Sequence, residues 1–266
     1  MRIIRPIPYE NPHNEFIDLY LTSLRQKSFR IVTFKWWKIR SLTQRNIDFH
    51  LHWPEAVYRD TLFLFSLFKA LRFIVFFYIH KLNGNKWYFF VHNIVPHEDT
   101  DYFKRKMHSI VFRILLKSSN RVIGLSENTI AEIHNTFEVS VDDKYSCIEH
   151  FLYPIDKIAS VSESSNYLKR KINFKYILTF HSEKRQKGIK QLIQEFPLEC
   201  DCKLIIVGSQ FQSNNDNIIQ IKDFPNTEIF NSLINNSMGV ILNYDRITTS
   251  GMYFHCLSLN KMSIVP

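Results

Sequence analysis

The sequence predicts an α/β protein of two Rossmann-like domains facing a cleft, the second of them incomplete. Three observations predict it. Strand-like apolar runs alternate with helix-length segments through the first 150 or so residues, as in a chain of βαβ units. A polar, Ser-rich stretch with little periodicity then interrupts the pattern near Tyr153 to Ser165. A second strand–helix alternation follows, and 266 residues are enough for two modest domains.

Each element follows from its residues. Arg2–Pro6 is a short opening strand, and the Pro8-Tyr9-Glu10-Asn11-Pro12 loop leads to a helix over Asn14–Gln26. Phe29–Phe34 and Ile47–Leu51 are strands, and the aromatic segment Val57–Lys81 is a helix. Asn83-Gly84-Asn85 is a turn ahead of the strand Trp87–Val91. A basic amphipathic helix over Asp101–Ser118 precedes the strand Arg121–Leu125, and Ser126 is a candidate N-cap for a helix from Glu127. In the second half, Tyr176–Phe180, Lys203–Val207, Ile218–Ile221, Met238–Leu242 and Met262–Val265 read as strands. Gly188–Glu195, Thr227–Asn235 and Gly251–Leu259 read as the helices among them. The expected boundaries are 1–153 for the first domain, 154–172 for a linker and 173–266 for the second. Because the chain stops on a strand, the second domain is expected to be truncated.

Composition narrows the partners. The net charge of +9 belongs to the first half: residues 1–121 hold 20 Lys/Arg against 9 Asp/Glu, whereas 122–266 hold 14 against 16. Such a field favours an anionic partner, either a membrane surface or a phosphorylated acceptor. No RNA-binding signature appears, so nucleic acid is not an expected partner. Four irregularly spaced cysteines suit a reduced, cytosolic protein, and Cys200 and Cys202 are read as two loop thiols rather than a metal or redox pair. No signal peptide is visible. In the apolar stretch Thr61–Ile79, Lys69 and Arg72 stand near the middle, which argues against a membrane span. A buried crossover helix is the first reading, and a helix lying in a membrane interface the second.

Two histidine-bearing segments carry the candidate chemistry: Asp48-Phe49-His50-Leu51-His52-Trp53-Pro54-Glu55 and Val91-His92-Asn93-Ile94-Val95-Pro96-His97-Glu98. Each runs from a strand into a turn. In an open parallel sheet the ligand crevice lies just beyond such carboxyl ends.

These residues resemble those of nucleotide-sugar glycosyltransferases of the two-domain GT-B architecture, related to family 4 in the broad sense. His50-Leu51-His52-Trp53-Pro54-Glu55 is similar to the HLHWPE segment of one branch of bacterial polysaccharide and glycolipid transferases, and Val91 to Glu98 resembles that branch's HNxxPHE segment. Ile123-Gly124-Leu125-Ser126-Glu127 resembles the strand and Ser before the last helix of the first domain. Phe180 to Ile189 looks like the first donor-side loop, Leu204 to Gly208 like the next strand and its Gly turn, and Thr249-Ser250-Gly251 like the donor-diphosphate loop. The resemblance departs at Ser182, where an Arg often stands, and at Ile247 and His255, where many members carry glutamates.

The resemblance implies transfer of a sugar from a nucleotide-sugar to a glycan or lipid-linked acceptor in cell-surface polysaccharide or glycolipid synthesis. It implies no cofactor and no metal, and a cytoplasmic place, peripheral to the inner face of the cell membrane. Ser250 and Gly251 would open a helix whose amides receive the diphosphate, with Thr249 and Gly208 beside them. Lys187 beside Gly188, helped by Lys184 and Arg185, would neutralise the leaving nucleotide. His92 is the candidate base or acceptor-orienting residue, with Glu98 and His97 to orient it or bind hydroxyls. His52 and Glu55, on a packed Trp53-Pro54 turn, and Asn11 and His13, in the first loop, are the remaining acceptor candidates. Competing readings are a degenerate, non-catalytic relative, and a metal-dependent hydrolase using His50, His52, His92, His97 and Glu98.

Overall fold

Strands that are apolar on both faces must be covered on both, and this chain covers two such parallel sheets with helices. The computed structural model describes residues 3–8, 16–32, 42–94, 102–140, 142–181, 186–208, 211, 213–243 and 250–265. It divides into two units, Met1–Glu149 and His150–Pro266.

The first unit runs β1 (Ile3–Ile7), α1 (Phe16–Gln26), β2 (Arg30–Ile31), β3 (Ile47–His52), α2 (Glu55–Tyr58), α3 (Phe63–Leu82), β4 (Lys86–Val91), α4 (Tyr102–Ser118), β5 (Arg121–Gly124), α5 (Glu127–Phe137) and β6 (Tyr145–Cys147). All pairings are parallel, in the order β2-β1-β3-β4-β5-β6. The chain therefore reverses its direction of winding between β1 and β3. Side chains alternate along β3. Phe49 and Leu51 enter the core with Phe73, Phe76 and Phe77 of α3, and Phe49 stacks on Trp87 at 4.3 Å. His50 and His52 take the opposite face, under Tyr20 of α1.

The aromatic helix expected over Val57–Lys81 is broken in two. Asp60 is the cause: its carboxylate accepts from the Leu62 amide (3.4 Å) and the Thr61 hydroxyl (3.2 Å) and pairs with Lys69 at 2.6 Å, while its own amide donates to Ser66 Oγ. Such local side-chain bonds compete with helix propagation. Ser126 does cap α5, accepting from the Thr129 amide at 3.1 Å.

The second unit contains α6 (Val161–Tyr167), β7 (Lys175–Phe180), α7 (Gln186–Glu195), β8 (Cys202–Val207), β9 (Ile218–Ile221), α8 (Thr227–Asn236), β10 (Gly239–Ile241), α9 (Gly251–Ser258) and β11 (Ser263–Ile264). Its parallel sheet has the order β11-β10-β7-β8-β9, so winding reverses between β7 and β10. Leu178, Ile205, Val207, Leu233 and Val240 form its core. Within the stretch that composition marks as a linker, α6 forms with a full capping box between Ser160 and Glu163. Ser164 on α6 is buried and donates to Ser232 Oγ at 2.8 Å, so these serines serve packing rather than flexibility.

Two buried imidazoles of the first unit predict its acid response. Burial pushes His80 and His108 down to about 4, from an ordinary value of 6.5. His80 meets Asn85 through Nδ1 at 2.7 Å, and His108 meets the Tyr58 hydroxyl at 2.6 Å. A lowered folded value means the unfolded chain binds more protons between pH 6.5 and 4, so stability is full above 6.5 and falls as pH drops toward 4. At about 1.4 kcal/mol per pH unit per group, the loss should reach several kcal/mol. Thermal unfolding followed at pH 7.5 and pH 4.5 checks this, and an unchanged melting temperature would contradict it.

Candidate active site

At the carboxyl edge of the first sheet, the β1–β3 register ends with Ile7 beside Leu51, and His52 follows immediately. This is the winding reversal, where the helices diverge and an open sheet leaves room for a ligand. His52 lies opposite Phe90 of β4, which brings His92 just past the end of β4 alongside it. The two imidazoles share a hydrogen bond, His52 Nδ1 to His92 Nε2, at 2.9 Å. His52 is fully buried and His92 is 7% exposed.

Aromatic rings fix both. Trp53 stacks on His92 at 4.0 Å, Phe16 meets His92 edge-on at 4.7 Å, and Phe90 stacks on His52 at 4.5 Å. Trp53 adopts a left-handed backbone (φ 44°), an uncommon and strained state for an aromatic residue. That turn drops the chain into Pro54 and lays the indole over His92. The Tyr20 hydroxyl meets Nδ1 of His50. Burial pushes His50 down to about 4, and it holds His52 well below the ordinary imidazole range, reinforced by repulsion from His92 and His50. His52 is therefore neutral at pH 7.

One proton lies between Nδ1 and Nε2. If it sits on His92 Nε2, His92 carries its lone pair on Nδ1, and His52 keeps its own proton on Nε2. A neutral, immobile His52 can thus hold the partner ring in the tautomer that accepts a proton. Glu55 opens α2 directly after the Trp53-Pro54 turn, and burial raises its carboxyl above the usual range. The sequence reading set His52, an acceptor candidate on a packed turn, apart from His92, the candidate base; the structure joins the two rings by a hydrogen bond. Phe16 and Tyr20 were missed as walls of the site, because helix periodicity does not say which ring faces which strand.

The second unit has its own winding reversal, at the ends of β7 and β10. Gly188, in the first turn of α7, lies so close to Asn243 that a Cβ would come within 2.7 Å of its side chain. Ser250 caps α9, its hydroxyl accepting from the Tyr253 amide at 3.3 Å, and helix geometry leaves the Gly251 and Met252 amides without intrahelical acceptors. A Cβ on Gly251 would stand 2.9 Å from the Tyr153 hydroxyl. Gly208 ends β8 at φ +100°, packed on the His181 carbonyl. His255 is tied to Asn231 through Nε2 at 2.6 Å, a packing role for the position where the resemblance would place an acid. Lys187 falls in the first turn of α7. Asn11, His13, His97, Glu98, Lys184, Arg185 and Thr249 lie outside the described residues.

No protein-family model matches this sequence, and no curated protein sequence matches it. Solved structures do. HepE from Anabaena in complex with UDP-glucose aligns with 100% of this chain and 80% of its own, at a TM-score of 0.61 and 11% identity. A trehalose-6-phosphate structure from E. coli, bound with UDP-2-fluoro glucose, gives 0.61 at 9% identity, covering 100% and 84%. Sucrose-phosphate synthase from Thermosynechococcus elongatus gives 0.54 at 11% identity over 97% of this chain, which spans only 62% of the synthase. Two tandem parallel-sheet units, matched along their whole length by these enzymes, give this chain the α/β fold of the GT-B glycosyltransferases.

Proposed function

We propose that this chain transfers a sugar from a nucleotide-sugar donor to a hydroxyl of a glycan or lipid-linked acceptor, in the making of cell-surface polysaccharide or glycolipid. The observation that carries the reading is the His52–His92 pair at the winding reversal of the first sheet, within a fold used by transferases of this kind. His92 takes the acceptor proton at Nδ1, and His52 Nδ1 holds its ring by accepting from His92 Nε2. Glu55, His97 and Glu98, with Asn11 and His13, are the residues this reading assigns to the acceptor.

The donor binds the second unit. The Ser250-Gly251 start of α9 receives the diphosphate on its amides, and Lys187 at the start of α7, with Lys184 and Arg185, neutralises the leaving nucleotide. Gly188, Gly208 and Thr249 are the remaining donor-side residues of this reading. No metal or other cofactor enters this scheme. The enzyme works in the cytoplasm.

Similarity to structures holding UDP-glucose and UDP-2-fluoro glucose makes UDP-sugars the first donors to try. Calorimetry of the protein against UDP-, GDP- and dTDP-sugars is expected to give one donor with a dissociation constant of about 1 μM to 1 mM, the usual range for enzyme substrates. Failure of every nucleotide-sugar to bind would remove the donor assignment.

A further inference from the structure

Helix α3 shows the wrong residues to water. Its buried side carries Ala70, Phe73, Phe76 and Phe77 against the first sheet. An ordinary surface helix would be polar on the other side. Here Leu64, Phe68, Leu71, Val75 and Leu82, spaced three, four or seven residues apart, line up along the helix with Phe65 beside them, each between 54% and 88% exposed. The stripe runs about 27 Å along the axis at 1.5 Å per residue. At about 150–200 Å² per large side chain, these residues and the adjoining Leu62 and Tyr78 expose on the order of 800 Å². A typical monomer's largest apolar patch is smaller, about 300–600 Å².

The neighbouring helix extends the patch. The ring of Phe103 on α4 stands 5.8 Å from Phe63, and both Phe103 and Tyr102 are largely exposed. Lys104 ties the helix starts together, donating to the Asp60 and Thr61 carbonyls at 3.0 and 2.7 Å. Charge selects the occupant. Helices α3 and α4 together carry eight Lys/Arg and no Asp or Glu. Arg72 stands within the stripe, and Arg105 and Lys106 are exposed on α4.

We infer that the outer face of α3, with the amino-terminal turn of α4, docks on a bilayer containing anionic phospholipid, the apolar stripe entering the interface and the cations meeting the headgroups. Helix α3 is long and apolar enough to cross a membrane. It lies flat instead, because its inner face is committed to the sheet and Lys69 and Arg72 stand mid-helix. A second copy of the chain is disfavoured, since two such cationic faces repel each other. The inference deepens the transferase reading at one point. Both helices start at the carboxyl edge of the sheet, where His52 and His92 sit, so docking would bring that edge to the membrane and select a lipid-linked acceptor. The docking itself does not depend on glycosyl transfer, and neither does its test.

The test is co-sedimentation of the full chain with vesicles of phosphatidylcholine alone and with about 30 mol% phosphatidylglycerol. Binding is expected to be at least about tenfold stronger to the anionic vesicles and to weaken as salt rises. Phe65→Ser/Phe68→Ser/Leu71→Ser should reduce it at least about tenfold at unchanged melting temperature, because those side chains are already exposed. Arg105→Gln/Lys106→Gln should reduce it by about fivefold per charge. Absence of binding to either vesicle, or undiminished binding by the triple variant, would overturn the inference. A wild-type dimer that the triple variant converts to monomer, without vesicle binding, would assign the face to a second copy.

Discussion

His92→Ala is expected to lower glycosyl transfer by about 10³-fold while leaving nucleotide-sugar affinity within about twofold, since positioned proton transfer contributes roughly 10²–10⁴ in rate. The structure adds a complication and its remedy. Removing the ring strips Nδ1 of buried His52 of its partner at 2.9 Å, which costs about 1–3 kcal/mol of stability. His92→Gln is therefore the sharper variant. Its amide can still meet His52, so the fold should melt as the wild type does, yet it cannot take up a proton and should be as inactive as the alanine. His52→Ala should lower kcat by about 10–100-fold with KM little changed and displace the pH profile of kcat, because it releases the tautomer and orientation of His92 rather than a contact to substrate. Full turnover by His92→Gln would remove the proposed role.

Gly208→Ala should destabilise the second unit by about 3–5 kcal/mol. At φ +100° the backbone lies where side chains are strained, and a Cβ would fall on the His181 carbonyl oxygen and the Phe224 ring, well inside contact distance. The ring is half-exposed and can turn aside. The carbonyl cannot, because the strand ends are pinned on both sides: the His181 amide donates to Val207 and the Gly208 amide to Ile221, each at 2.8 Å. Gly84→Ala is the control. Gly84 also has a positive φ, +77°, but its Cβ would meet open space, so only about 1 kcal/mol should be lost. Denaturant unfolding measures both, and equal losses would refute the steric explanation.

The same contrast between local and distant causes explains what was legible in the sequence. Strand Ile218–Ile221 matches its expected range at both ends, and other expected elements, such as Gly188–Glu195 and Tyr176–Phe180, differ from the observed ones by one or two residues. Their patterns are local, set by a period of 2 or 3.6 and by caps such as Ser126. The capping box of Ser160 and Glu163 was also written in the chain, but a serine-rich composition masked it, and only the contact of Ser164 with Ser232 shows why those serines form a helix. The break at Asp60 was invisible because its partner Lys69 lies nine residues on, across an apolar run.

For the site, the alternation of His50 and His52 placed both rings on one face of a strand, and the order of elements placed them at a carboxyl edge. Sequence by itself determined that much, because periodicity and chain order are properties of neighbours. Tertiary structure alone decided that His52 is the partner of His92, that Trp53 and Phe16 clamp the pair, and that a second apolar stripe of α3, from Leu64 to Leu82, faces outward. Each of these depends on strand register and on which face a sheet leaves uncovered, and both are fixed by contacts between residues about 40 positions apart.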